Sequence, residues 1–212
     1  MHCLTLIRKD KKGDLLKNIA DTWPIVKGDY MVGNPRSRIA VVTLASQINP
    51  SPEAALWGSS KTENLGVEKI IVNTISNSNI RYILICGTES RGHLAGHSLL
   101  AIHANGIDEK GRIIGSEGAI PFIENISKEA VKRFQQQVVL LDRIGLTNLE
   151  EIIKIVRKYK DRGEVYPEEP LVAISQKKRQ STFTIPHSGD IIVSEEFVMD
   201  STSGVVCPTE DF

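Results

Sequence analysis

The chain has 212 residues, of which 41% are hydrophobic and 25% charged, the composition of a globular protein with a sizeable core. Its 26 basic residues equal its 26 acidic residues, and this balance argues against a nucleic-acid interface, which usually needs a basic excess. Three scattered cysteines form no disulfide framework. Because we find neither a signal peptide nor an apolar run of about 18 residues, we expect a cytoplasmic protein without a membrane span.

The chain begins with a polar N-terminal lead-in, which we place at residues 1–38. Ile39–Leu44 is a short, nearly continuous apolar run, typical of a strand that is buried on both faces. Ser60–Glu63 fits a capping box, and the apolar spacing from Val67 to Ile75 predicts a helix behind it. Tyr82–Cys86 is predicted to be a second buried strand.

The second half of the chain continues this alternation. Arg91–Asn105 is predicted to be a helix, and Arg112–Ile114 a short strand. Ser127 caps a further helix that ends near Gln136, and Val138–Asp142 follows as a strand, although helical spacing also allows one continuous helix here. Thr147–Glu150 is a second capping box, which opens an amphipathic helix.

Strands that alternate with helices predict parallel strands joined by crossover helices. We therefore expect an α/β fold, with a Rossmann-like, mostly parallel sheet and flanking helices, over residues 39–172. Residues 173–212 contain alternating apolar stretches around Phe183–Ile185 and Ile191–Val193 and are predicted to form an extended C-terminal arm or hairpin.

The strand-to-helix junction from Cys86 to His97 is the strongest candidate for a functional site. In open α/β sheets, ligands bind beyond the carboxyl ends of the strands, and a helix start offers free N–H groups. His93 and His97 share a helix face, with Glu89 one turn earlier. A carboxylate that accepts one imidazole proton fixes the tautomer of a histidine that binds a metal through its other nitrogen.

Simpler roles for these residues remain open. His93 at a helix start is also typical of a cap or a surface residue, His97 of a surface residue, and His103 of a structural residue at a helix end. Glu63 fits a capping-box carboxylate, and Cys86 a small core residue. A zinc site lacks an obvious third ligand, and the turn does not fit the dinucleotide-binding glycine pattern.

Several motifs recur in one order along residues 20–172. They are Gly28-Asp29-Tyr30, Ile39–Leu44, Thr62–Lys69, Cys86–Glu89 with Gly92-His93, and Gly115–Pro121 with Glu124 and Asn125. Together they resemble the corrinoid-carrying A subunit of tetrahydromethanopterin S-methyltransferase from methanogenic archaea. Several motifs in register are far more specific than any one of them.

The resemblance implies a Rossmann-type domain that binds a cobamide, a cobalamin-type corrinoid. Its Co(I) form accepts a methyl group from methyl-tetrahydromethanopterin, and its methyl-Co(III) form gives the group to coenzyme M. The histidine of the family's Gly-His motif is the lower axial ligand of cobalt, which here is His93. Glu63 and Glu89 both qualify as the carboxylate partner of that histidine, and we favour Glu63 because a loop carboxylate can reach across to the imidazole.

The same resemblance implies a set of cofactor-binding residues and no catalytic residue beyond the cobalt ligand. The set is Thr62, Glu63, Asn64, Leu65, Gly66, Gly87, Thr88, Glu89, Gly92, His93, Gly115, Gly118, Ala119, Ile120 and Pro121. The small residues from Gly115 to Pro121 would suit a flat macrocycle that lies close to the backbone.

The resemblance has one large departure. The membrane-bound protein of the family carries a C-terminal transmembrane helix, whereas residues 175–212 of this chain are polar. We therefore expect a soluble homologue that needs partner subunits for the methyl donor and acceptor and whose oligomeric state is open. The alternatives are a cofactor-free scaffold or regulator of a methyltransferase, and a zinc- or nucleotide-binding α/β protein.

Overall fold

A computed structural model of the chain describes residues 17–173 and three short strands at 191–192, 197–199 and 206–208. The chain divides into two compact units, residues 1–176 and 177–212. In chain order, the elements of the first unit are β1 (Tyr30–Val32), β2 (Ile39–Val42), β3 (Leu56–Gly58), α1 (Leu65–Ile75), β4 (Tyr82–Gly87), α2 (Ala95–Asn105), α3 (Lys128–Gln137), β5 (Val139–Ile144) and α4 (Leu149–Tyr159).

The five strands of this unit form one sheet in the order β1-β3-β2-β4-β5. Strands β3, β2, β4 and β5 run parallel, and β1 pairs antiparallel with β3 at the edge. Consecutive parallel strands need crossover connections, and α1 joins β3 to β4 while α2 and α3 join β4 to β5. The predicted α/β fold with a mostly parallel sheet and flanking helices is confirmed.

Both faces of the sheet are covered, which explains the unbroken apolar runs of β2 and β4. Successive side chains of a strand point to opposite faces. Val42 accordingly belongs to the core cluster that contains Ile71 of α1 and Phe134 of α3, whereas Val41 packs in the cluster of Ile152 on α4. Each fully buried isoleucine of this kind contributes about 1.5–3 kcal/mol to stability.

The two short strands β1 and β3 are absent from the sequence-based prediction. Each has three residues, too few to display a hydrophobic period, and β1 lies within the predicted lead-in. Conversely, the strand predicted at Arg112–Ile114 does not form, so this prediction is wrong. That segment makes only the isolated bridges Ile107–Ile113 and Arg112–Phe122.

The predicted start of the second helix at Arg91 is also wrong. Helix α2 begins at Ala95, because Gly92 and Leu94 have φ angles of +76° and +46°, outside the range of a right-handed helix. His93 therefore lies in a tight turn before the helix, and its position is fixed by that turn.

The two predicted capping boxes, at Ser60–Glu63 and Thr147–Glu150, are wrong as well. The side chain of Asn64 caps α1 and that of Asn148 caps α4, so Glu63 is not part of a helix cap. The predicted cap at Ser127 is confirmed, since its hydroxyl accepts a hydrogen bond from the first turn of α3.

In the second unit, β6 (Ile191–Ile192), β7 (Phe197–Met199) and β8 (Val206–Pro208) form an antiparallel sheet in that order. Of the stretches predicted to be extended, Phe183–Ile185 and Val193 lie outside the described residues. Within the described part of the chain, no helix combines the length and the apolar character that crossing a membrane requires.

Candidate functional site

The loops that follow β2 and β4 meet at the carboxyl edge of the sheet. Gly87 has a φ of +80°, and a Cβ at this position would lie 2.1 Å from the carbonyl oxygen of Thr43. The hydroxyl of Ser46 accepts a hydrogen bond from the N–H of Thr88, and the carbonyl of Thr88 accepts one from Ala45. Only glycine allows this close approach, which leads the chain from β4 into the turn that presents His93.

Glu89 closes this turn against the start of α2. One carboxylate oxygen accepts hydrogen bonds from the N–H groups of Ser90 and Gly96, and the other accepts one from His97, each at 3.0 Å. The residue in the capping position, Leu94, offers no side-chain hydrogen bond. Glu89 thus replaces the missing cap, and its negative charge is favoured at a helix N-terminus.

Replacing Glu89 with alanine should lower the free energy of unfolding by about 1–2 kcal/mol, because the N–H groups at the start of α2 lose their acceptor. Urea denaturation measures this change. The matched control is Glu109→Ala, since the carboxylate of Glu109 is 96% exposed and such a change stays within about 0.5 kcal/mol. Equal unfolding midpoints for the two variants would contradict the role of Glu89.

His93 is paired with Glu63 at the apex of the turn. The Nδ1 atom of His93 lies 2.8 Å from Oε2 of Glu63. The imidazole side chain is 51% exposed, whereas the carboxylate side chain is 1% exposed. Of the two carboxylates that the sequence offered as partners of His93, Glu63 makes the contact, and Glu89 is engaged at the helix start.

The second oxygen of Glu63 is also engaged, because Oε1 accepts a hydrogen bond of 2.6 Å from the N–H of Ile120. Burial raises the pKa of Glu63, but hydrogen bonds from the backbone N–H groups of Ile120 and of Glu63 itself, together with that from His93, outweigh burial and lower the pKa below its ordinary value. The carboxylate is therefore ionised at neutral pH and can only accept. Nδ1 of His93 is then the donor, and in the neutral imidazole the lone pair lies on Nε2.

The Gly115–Pro121 segment lies directly against this pair. The N–H of Ala119 donates to the carbonyl of Gly92 at 3.2 Å. A Cβ at Gly118 would lie 2.5 Å from the carbonyl oxygen of His93 and 2.8 Å from Cγ of Glu63. Gly118 is thus required by close packing behind the histidine.

The remaining residues of the predicted set lie around the same edge. Thr62 accepts a hydrogen bond from the N–H of Gly66 at 2.9 Å, which orders the turn that contains Glu63 and Asn64. Leu65 and Ile120 are 55% and 59% exposed. The structure therefore gathers the predicted Thr62–Gly66, Gly87–His93 and Gly115–Pro121 segments into one region.

The other two histidines of this region differ from His93. Nε2 of His103 lies 2.9 Å from the carbonyl oxygen of Val138, and its ring packs edge-on against Phe134, in line with the predicted structural role. Nδ1 of His97 is buried without a hydrogen-bond partner among the described residues. In the described part of the chain, no group of three or more histidine, cysteine, aspartate or glutamate residues could hold a metal ion.

Cys86 is fully buried in β4, as the sequence predicts for a core residue, and burial raises the pKa of its thiol to about 12. Since only the thiolate reacts rapidly, Cys86 should resist alkylation in the folded protein at pH 8 and react after unfolding. A Cys3→Ser/Cys207→Ser variant isolates this thiol for mass spectrometry. Rapid labelling of the folded variant would contradict the burial.

A cavity of about 450 Å³ opens beside the Thr62–Gly66 turn. It lies between α1 and the sheet strands β1, β3 and β2, and Thr62, Leu65 and Gly66 contribute to its wall. The sequence-based prediction did not include this cavity, whose wall combines residues of α1, of β2 and β4, and of the short strands β1 and β3.

The fold and the site define an α/β protein with a histidine–carboxylate pair at the carboxyl edge of a parallel sheet. The family model for the A subunit of tetrahydromethanopterin S-methyltransferase matches residues 16–182 of the chain. The chain therefore belongs to this family of methyltransferase subunits, which work with partner subunits. The resemblance found in the sequence motifs is confirmed.

Several curated relatives agree with this assignment. The chain is 90% identical over 197 residues to the A subunit of the "Putative methyltransferase Mtx" of Methanosarcina barkeri. The aligned residues cover 93% of this chain and all of that protein. It is 73% identical to the protein of the same name from Methanosarcina acetivorans, over 92% of this chain and 99% of that protein. It is 41% identical to the A subunit of tetrahydromethanopterin S-methyltransferase from Methanosphaera stadtmanae, over 92% of this chain and 79% of that protein.

Proposed function

We propose that this chain is a corrinoid methyl carrier. It binds a cobamide with His93 as the lower axial ligand of cobalt and, with partner subunits, passes methyl groups from methyl-tetrahydromethanopterin to coenzyme M or a related thiol. The observation that carries this proposal is the pairing of the half-exposed His93 with the buried carboxylate of Glu63 at 2.8 Å.

The donor set suits a cobamide. A corrin ring supplies four nitrogen ligands itself, so one protein nitrogen is enough, and the pair offers one, Nε2 of His93. A carboxylate behind an imidazole fixes its tautomer and makes it a more basic ligand. Imidazole suits a transition metal ion of this kind. When bound, the cobamide supplies a cobalt centre that accepts and releases a methyl group.

The surface around His93 supports exchange with partner subunits. Leu65 and Ile120 flank the region, and each residue is more than half exposed. Exposed apolar residues that cluster near a polar site are typical of surfaces that a ligand or a partner protein covers. A methyl carrier must present its metal to a donor site and an acceptor site in turn, which a ligand on an exposed turn permits.

The proposal is tested by incubating the purified full chain with a cobamide at micromolar concentration, removing free cofactor and recording the visible spectrum. We expect stoichiometric retention and a spectrum that shows axial imidazole ligation. His93→Ala should lose that spectral signature. The matched control is His103→Gln, at the other end of α2, which should keep it.

The outcomes separate the parts of the proposal. If the native chain retains no cobamide, the carrier function is wrong and a cofactor-free scaffold takes its place. If cobamide is retained but its spectrum is the same for the native chain and His93→Ala, the carrier function stands and the assignment of the cobalt ligand is wrong.

A further inference from the structure

We infer that Glu68 is a positioning residue for the His93–Glu63 pair, because it anchors the segment whose backbone orients Glu63. Glu68 lies in the first turn of α1, is 5% exposed, and stands outside the predicted cofactor-binding set. Its effect is on the tautomer of His93 in the cofactor-free chain. The bearing of that effect on cobalt ligation rests on the proposed function.

The carboxylate of Glu68 holds two consecutive residues that are distant in the sequence. Oε1 accepts hydrogen bonds from the N–H groups of Glu124, at 2.6 Å, and Asn125, at 2.9 Å. Oε2 accepts one from the side-chain amide of Asn125 at 2.8 Å. Both oxygens are therefore used, and all three bonds fix the same short stretch of backbone to α1.

These three hydrogen bonds are what compensates the burial of this carboxylate. Glu68 forms no ion pair with any described residue. Removing a carboxylate from water is costly unless other groups replace its hydration. Hydrogen bonds to an ionised acceptor are roughly twice as strong as those between neutral groups. The arrangement therefore favours one fixed position of residues 124–125.

Glu63 and Glu68 hold the same segment at two points. Oε1 of Glu63 accepts from the N–H of Ile120 at 2.6 Å, and Glu68 accepts from the N–H of Glu124, four residues further on. The two carboxylates lie on either side of Asn64, the cap of α1, and Glu68. The start of α1 and the 120–125 segment are thus joined by two buried carboxylates.

The residues between these two points have little freedom. The N–H of Ile113 donates to the carbonyl of Pro121 at 2.8 Å, and the N–H of Ile123 donates to the carbonyl of Gly111 at 2.8 Å. The ring of Pro121 fixes its own φ angle, and Ile123 is buried. A displacement of residues 124–125 is therefore passed along the segment to the N–H of Ile120.

The orientation of the Glu63 carboxylate depends on that N–H. While Ile120 holds Oε1, Oε2 lies 2.8 Å from Nδ1 of His93. If the N–H of Ile120 moves away, a carboxylate that is 1% exposed has an oxygen without a donor. Rotation toward another donor then takes Oε2 away from Nδ1. Glu68 thus favours the Nδ1–H tautomer of His93 without touching the ring.

The test compares Glu68→Leu with Glu68→Gln in the full chain without cofactor. Both variants remove the charge, but the amide oxygen of glutamine still accepts the two backbone bonds, and its NH₂ group can donate to Asn125 once that exposed amide turns over. The readout is the pair of nitrogen NMR shifts of the labelled, neutral His93 ring. We expect the ratio of Nδ1–H to Nε2–H tautomer to fall about fivefold in Glu68→Leu, the effect of one net hydrogen bond, and to stay within about twofold of native in Glu68→Gln.

Two further variants keep the test sharp. Asn148→Ala removes the cap of α4, on the other face of the sheet, so it destabilises the fold and should leave the tautomer ratio native. Asn125→Ala removes only the bond to Oε2 and should lower the ratio about twofold. It replaces Glu68→Leu if that variant does not fold.

The outcomes separate this inference from the carrier function. A native ratio in Glu68→Leu, an equal fall in Glu68→Gln, or a fall in Asn148→Ala overturns the positioning role and leaves the carrier function standing. If the ratios change as expected but the native chain retains no cobamide, the carrier function is wrong and the positioning role stands. If both hold, imidazole ligation of bound cobamide should decrease in Glu68→Leu and be kept in Glu68→Gln.

Discussion

On the proposed function, Glu63→Gln should leave the chain folded but weaken axial ligation by His93 by about 10–100-fold, the usual effect of losing the partner of a metal-bound histidine. The amide oxygen of glutamine can still accept from the N–H of Ile120 in place of Oε1. Its NH₂ group then faces Nδ1 of His93, 2.8 Å away in the native pair. Nδ1 must become the acceptor, so Nε2 carries the proton and has no lone pair for cobalt.

The measurement is the fraction of bound cobamide that shows imidazole ligation in the visible spectrum, with total binding determined separately. Glu89→Gln is the matched control, because its carboxylate bonds to backbone N–H groups at the start of α2 and not to the ring of His93. A Glu63→Gln protein with the native spectrum would show that the carboxylate does not set the tautomer.

Glu63→Gln should also change how the stability of the cofactor-free chain depends on acid pH. The pKa of Glu63 is lowered in the folded chain, so its ionised form stabilises the fold at pH values above the unfolded pKa of about 4.3. That contribution is lost as the pH falls through the lower, folded pKa. Urea denaturation should therefore show native protein more stable than Glu63→Gln by about 1 kcal/mol at pH 7, with the difference disappearing in stronger acid.

The sequence predicts those parts of the fold whose signals are local. The apolar runs of β2 and β4 and the helical periods of α1, α3 and α4 extend over enough residues to be recognised. The start of α2 could not be predicted, because Gly92 and Leu94 before it have left-handed conformations. The turn is also held by a distant contact, the hydrogen bond from the N–H of Ala119 to the carbonyl of Gly92. β1 and β3 are strands because they pair with each other and because β3 also pairs with β2.

The site shows the same division between local and distant signals. The motif around His93 is continuous in the sequence, which therefore predicts it directly. Its pairing with Glu63 spans 30 residues, and the bond from Ile120 to Glu63 spans 57. No spacing rule gives such contacts, and the preference for Glu63 came from its position in a loop. The apparent capping box at Ser60–Glu63 pointed instead to a role in a helix cap.

Gly118→Ala should destabilise the cofactor-free chain by about 1–3 kcal/mol and also weaken axial ligation, because the new methyl group has no room. It would lie 2.5 Å from the carbonyl oxygen of His93 and 2.8 Å from Cγ of Glu63. Neither neighbour is free to move, since Glu63 is buried and bonded to Ile120. The segment must retreat, and the hydrogen bond from Ala119 to Gly92 that holds the turn must lengthen.

Urea denaturation and cobamide spectra of the same preparations measure the two effects together. Glu117→Ala is the matched control, because it changes the exposed neighbour in the same segment and should shift stability by less than about 0.5 kcal/mol. A loss of stability with unchanged ligation would mean that the segment supports the fold alone. If Gly118→Ala loses both stability and ligation while Glu117→Ala loses neither, the Gly115–Pro121 segment holds the His93 turn in place. This follows because the added methyl group meets the backbone of His93 and the side chain of Glu63.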